Sequence, residues 1–219
     1  AVVDTDPQGS LSEWWNARQA TAPLFLKTRV KYLYDDLNEL RSKGIRLVFV
    51  DTPPAVTDII DEIVGHADLV VVPTRPSPHD LRAVGATLDI IEARGKPLVF
   101  AVNGATENAQ ITSETAVALS QHGTVAPVTI HQRTDFATSM IDGGSVMEAW
   151  PESPSAEEIS KLWYYLSSRL RKQNRPQKTP AHAASVSQSV TQDMPQGAQE
   201  RASFGRRHET ADRALHKAV

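Results

Sequence analysis

The 219 residues carry a formal net charge of -3, 40% hydrophobic residues and no cysteine. That length supports one ordinary domain with an appendage, and the near-neutral charge excludes an overall basic nucleic-acid binder. The lack of cysteine excludes a disulfide framework or thiolate metal site and favours an intracellular compartment; no segment reaches the roughly 20 apolar residues of a membrane span, so no membrane partner is expected.

The chain opens on AVVD at 1–4, an apolar strand that ends in Asp4 and Asp6 and turns at Pro7, Gln8, Gly9 and Ser10. A buried strand as the first element, with no initiator methionine, predicts a segment preceding Ala1. Residues 29–43 place apolar positions at helical spacing, with Gly44 as the stop. Strand IRLVFVD follows at 45–51, and ADLVVVP at 67–73. A helix over 77–94 opens on Ser77, Pro78 and Asp80, which supply an N-cap, a proline at the first helical position and an acid three residues after the cap. Gly95 closes it, and strand KPLVFAVN runs over 96–103. The pattern then predicts a helix over 112–121, a strand near 124–130, a short helix over 134–142 and a long helix over 155–172. In the last, Ser155 and Glu158 form a capping box, and Ile159, Leu162, Trp163, Leu166 and Leu170 share one stripe.

Continuous apolar strands alternating with helical stretches are the pattern of a parallel sheet covered on both faces, an α/β domain. Beyond Gln173 apolar periodicity ceases. Residues 174–219 hold seven Lys/Arg and four Asp/Glu and read as a disordered, mildly basic tail, leaving 1–173 as the folded domain.

Ligands bind at the carboxyl ends of strands in such sheets. Two strands here end in acids, at Asp4 with Asp6 and at Asp51. Convergent strand-end carboxylates are what a nucleoside triphosphatase uses to hold Mg2+ and to place water; singly, each is equally a turn former or helix cap. Trp14 and Trp15 either cover a bound ligand or bury themselves against a neighbouring helix.

Four stretches carry a resemblance: DTDPQGS at 4–10, DTPP at 51–54, VVVPTRPSPHDLRA at 70–83 and VTIHQRTDFATSMIDGGSVMEAWPESPSAEEISKLW at 128–163. Together they resemble the ParA family of partition ATPases, within the deviant-Walker (ParA/MinD-like) P-loop group, over residues 1 to about 172. The resemblance implies a P-loop fold whose first strand and phosphate loop, K-G-G-x-G-K-T/S, are missing from these residues, so a sheet position is left unpaired and the chain by itself binds ATP poorly.

The resemblance also implies roles. Asp6 would orient the attacking water. Asp4 would lie near the metal and phosphate loop, and Asp51 would reach Mg2+ through water. Gln8, Gly9 and Ser10 would form the first switch, while Thr52 and Pro53, with Pro54, would start the second. Asn103 would read adenine or simply form a turn. Arg133, Arg169, Arg171 and Lys172 would contact DNA, although the last three equally suit a helix C-terminus. The implied cofactors are ATP and Mg2+. The implied partners are a second copy in a homodimer, non-specific DNA and a centromere-binding protein that stimulates hydrolysis, in the cytoplasm on the nucleoid. Plasmid or chromosome partition is the function expected; a ParA-like ATPase positioning another cargo, or a non-catalytic regulator, is the alternative.

Overall fold

The computed structural model describes residues 1–54 and 58–173, so the expected tail at 174–219 lies outside the described residues. In chain order the elements are β1 (Val2–Asp4), α1 (Ser10–Ala17), β2 (Phe25–Lys27), α2 (Val30–Ser42), β3 (Phe49–Asp51), α3 (Asp58–His66), β4 (Val70–Thr74), α4 (Pro78–Ala93), β5 (Leu98–Ala105) and α5 (Gln110–Ser120). They continue with β6 (Thr124–Val125), β7 (Ile130–His131), α6 (Thr134–Met140), α7 (Val146–Ala149) and α8 (Pro154–Gln173).

All strand pairs are parallel, which is why helices intervene between most of them. One sheet has the order β2-β1-β3, with Val3 opposite Leu26 and Val50. The other has the order β4-β5-β6, with β7 joining β5 beyond a register shift between Asn103 and Ala105. β5 is the most buried strand. Its Phe100 and Val102 pack on Val84 and Leu88 of α4 and Leu119 of α5, while Val99 on the opposite face packs on Leu166 of α8. In the first sheet Val3 packs on Leu33 and Leu40 of α2 and Ile63 of α3. Each fully buried Leu, Ile or Phe of this kind contributes about 1.5–3 kcal/mol.

β3 and β4 depart from the expectation of strands covered on both faces. Among the described residues β3 pairs only with β1 and β4 only with β5, so each is an edge strand. Phe49 and Val71 are accordingly 49% and 37% exposed, and Pro73, which has no N–H, is tolerated in β4.

Other differences have local causes. The expected strand 45–51 shortens to three residues. The expected strand 124–130 divides into β6 and β7. Trp163, expected on the core stripe of the last helix, is 43% exposed and meets Phe49 at a centroid distance of 6.1 Å. The last helix is not capped by Ser155 and Glu158. Ser153 Oγ instead accepts from the Ala156 N–H at 3.1 Å, because Pro154 takes the first helical position. Ser155 donates to Asp135, and Glu158 turns to His131 and Arg133.

Candidate functional site

The three strand-end acids come together where β1 and β3 pair in register, Asp4 opposite Asp51. The Thr5 N–H and hydroxyl both donate to the Asp51 carbonyl, at 3.2 and 2.5 Å, and lock the two strand ends together. Asp4 is fully buried, and both of its oxygens are used within the chain. Oδ1 accepts from the Asp6 N–H at 3.0 Å, while Oδ2 accepts from the Ser12 N–H at 3.0 Å and from the Ser12 hydroxyl. The reason is helical: Gly9 stands at the N-cap of α1 without a side chain, so Asp4 reaches across to the helix's free N–H groups. Asp4 therefore positions α1 while lying directly opposite Asp51.

Asp6 is half-buried and accepts from the Gln8 N–H through Oδ1 at 2.9 Å. The Gly9 N–H closes the turn on the Asp6 carbonyl at 3.1 Å. Gly9 has a φ of 73°, a conformation a side chain would strain, so the turn favours glycine; a Cβ there would also sit 2.8 Å from Lys27 Nζ, which could swing aside. Gln8 and Ser10 are exposed.

Asp51 is exposed at its strand end and is followed by exposed Thr52 and half-buried Pro53. Loss of hydration, then the neighbouring charges of Asp4 and Asp6, push its carboxyl above the ordinary aspartate value. Such repulsion is relieved by a divalent cation. Among the described residues no group of three or more His, Asp or Glu could hold a metal alone. The carboxylates of Asp6 and Asp51 are of the kind and number that Mg2+ commonly takes, its shell being completed with water and phosphate. Beside the acids lies a cleft of about 530 Å3 lined by Thr5, Asp6, Lys27, Arg29 and Tyr32.

Asn103 lies elsewhere, in the second sheet. It is exposed and lines a cleft of about 480 Å3 with Arg75, Gln132, Arg133 and Phe136. Arg133 is not a free surface cation: it pairs with both oxygens of Glu158 at 2.8 Å and with Glu107 at 2.8 Å. Glu158 also accepts from the His131 N–H at 3.0 Å. Its largest influence, burial, raises the carboxyl, but the hydrogen bonds from His131 and Arg133 outweigh it and the net shift is downward. At the end of α8, Arg169 reaches Thr124 Oγ1 at 3.3 Å and Arg171 reaches Ser167 Oγ at 3.2 Å, while Lys172 is exposed.

The tryptophans are structural. Trp15 stacks on Phe25 at 5.5 Å, and the Trp14 indole N–H donates to the Gly144 carbonyl at 2.8 Å. Arg18 lies over the Trp14 ring, donates to the Gly143 carbonyl at 2.7 Å and forms a bidentate pair with Glu148. Ser12, Lys27, Arg18 and Glu158 were not anticipated from sequence. Ser12 carries no local signal, because α1, in whose first turn it lies, begins at a glycine N-cap.

No family model matches the chain. It is 26% identical over 177 residues to the maintenance of carboxysome distribution protein A of Halothiobacillus neapolitanus, covering 74% of this chain and 79% of that protein. It is 42% identical over 89 residues to the protein of the same name from Gloeobacter kilaueensis, covering 40% of each. Among solved structures it resembles the MinD cell division protein of Aquifex aeolicus, with a TM-score of 0.60 and 12% identity over 80% of this chain and 86% of that one. It also resembles a ParA family ATPase from Chlorobium tepidum, with a TM-score of 0.55 and 18% identity over 75% and 85%. An ATP complex of McdA from Cyanothece gives a TM-score of 0.55 and 14% identity over 76% and 84%.

Proposed function

We propose that this ParA/MinD-like P-loop protein is a positioning ATPase whose cargo is a large cellular assembly of the carboxysome kind. The observation that carries the enzymatic part is the convergence of Asp4, Asp6 and Asp51 at paired strand ends. The names of the two sequence relatives favour this cargo over the plasmid or chromosomal DNA expected from the family resemblance.

When bound, MgATP would supply the γ-phosphoryl group and the divalent cation; the phosphate loop that holds such a ligand is not among the 219 residues. The chain's own residues then have separate tasks. Asp51, whose carboxyl is pushed up by lost hydration and by its acidic neighbours, would hold the cation's water shell. Asp6 commits one oxygen to the Gln8 N–H, and its carboxylate would orient the attacking water. Asp4 holds the Asp6 backbone and α1 in place. Thr52 and Pro53 would follow the nucleotide as the second switch, and Asn103 with Arg75 offers polar atoms to a base. Nucleotide-dependent homodimerisation, a stimulating partner and cytoplasmic, nucleoid-associated localisation belong to the same reading. DNA contacts fall to Arg169, Arg171 and Lys172 at the end of α8, since Arg133 is held by carboxylates.

The test uses the protein encoded by the complete reading frame. It should hydrolyse MgATP slowly, and Asp6→Ala should reduce turnover at least about 100-fold while ATP binding persists, in line with the loss of a positioned water. Unchanged turnover in that variant refutes the assignment. Disruption of the gene should cluster the cargo, seen by fluorescence microscopy, and leave plasmid inheritance intact; plasmid loss with normally spaced cargo would reinstate partition.

A further inference from the structure

We propose that Arg18 is a positioning residue for the hydrolysis proposed above: by clasping α1 to the turn between α6 and α7 it fixes the loop that carries Asp6. Thr5–Gly9 join β1 to α1, and Thr5 anchors the upstream end of this loop on the Asp51 carbonyl. Where Asp6 stands therefore depends on the downstream end, the start of α1. That helix has eight residues, of which only Ser12 is buried, and its apolar side chains are at most half-buried. So short a helix is marginal by itself. Polar contacts hold it instead, from Asp4 at its first turn and from Arg18 just past its last.

The Arg18 side chain is 9% exposed, and each of its guanidinium nitrogens is engaged. Nε donates to the Ala22 carbonyl at 2.7 Å, Nη1 to the Gly143 carbonyl at 2.7 Å and to Glu148 Oε2 at 2.9 Å, and Nη2 to the other Glu148 oxygen. The Trp14 ring supports the guanidinium at 5.2 Å, while its indole N–H donates to the neighbouring Gly144 carbonyl. At Gly143, whose φ is 68°, a Cβ would overlap the Arg18 nitrogen and lie 2.5 Å from Arg18 Cα, so the two backbones touch with no room for a side chain. Lysine does not reproduce such a fork. Without it the end of α1 is released, and a displacement of about 1 Å in a group aligned for reaction can cost about 100-fold in rate. The inference rests on the role proposed for Asp6.

Arg18→Ala is the test, and Arg94→Ala the control, because Arg94 makes a bidentate pair with Asp61 of α3 that the site does not use. In the protein encoded by the complete reading frame, Arg18→Ala should lower kcat for MgATP at least about tenfold and keep KM within about twofold, since a misplaced water-orienting carboxylate spares ATP binding. Arg94→Ala should leave both unchanged. Arg18→Lys, which keeps the charge and loses the fork, should show the same pattern in smaller measure and serves if Arg18→Ala does not fold. A second readout needs no nucleotide. The Gly9 N–H is bonded to the Asp6 carbonyl and the Ser12 N–H to Asp4; in Arg18→Ala both should exchange at least about tenfold faster, with the β5 amides Val99–Val102 unaffected. Unchanged exchange at Gly9 and Ser12, or a loss carried by KM and not by kcat, overturns the proposal. If the unsubstituted protein hydrolyses MgATP and Arg18→Ala matches it, the positioning role alone fails. If the unsubstituted protein does not hydrolyse MgATP, the ATPase reading fails and this role with it.

Discussion

A single residue, Thr5, separates Asp4 from Asp6, and burial gives them different chemistry. Asp4 has no access to solvent and satisfies three donors from Asp6 and Ser12. Ser12→Ala removes one of those donors and should cost about 1–3 kcal/mol in urea unfolding, and Asp4→Ala should cost more because it strips a buried network. Asp6→Ala, half-buried with one backbone donor, should stay within about 1 kcal/mol; a larger loss from Asp6 than from Asp4 would contradict this division. Glu148 supplies a pH signature. The Arg18 guanidinium, with help from Ser145, holds its carboxyl at about 2, against an ordinary value of 4.5. A carboxyl lowered on folding stabilises above its ordinary value, and that contribution is lost as pH falls from 4.5 toward 2. Because Glu148 is half-exposed, solvent screens the effect. Glu148→Gln should flatten the fall of thermal midpoint across this interval; an unaltered slope would refute the pairing.

At the scale of elements, local signals work where the physics is local. Ser77 Oγ accepts from the His79 N–H at 3.2 Å and α4 begins at Pro78, as its sequence implies. Asp80, however, accepts from the Arg75 N–H instead of closing the box on Ser77. In α8 the acid of the supposed box is taken by His131 and Arg133, so the cap moves two residues to Ser153. Ser153→Ala should lower stability by about 1 kcal/mol by thermal unfolding, and no change would mean that the helix start is held by tertiary contacts alone. β2 was not legible because three residues, FLK, form a strand only through pairing with β1. α1 was hidden for a related reason: its first turn has a glycine cap and borrows Asp4 from eight residues before Ser12.

Across the whole molecule, protection should follow coverage. β5 is paired on both sides and packed on both faces, whereas β3 and β4 are edges among the described residues. Amide exchange should therefore be slowest at Val99–Val102 and faster at Phe49–Asp51 and Val70–Val72, measured by mass spectrometry of peptic fragments. Equal protection in all three would contradict the observed pairing. The sequence by itself determined the α/β class, the parallel sheet, most helix ends and the three strand-end acids, because hydrophobic period, caps and turns are short-range. Only the tertiary structure decided which acid is buried, that Arg133 is consumed by Glu158 and Glu107, and that α1 is clasped to the Gly143–Gly144 turn. The last two outcomes depend on partners 25 to 130 residues away, and the burial of Asp4 on its place opposite Asp51, all set by packing and not by spacing along the chain.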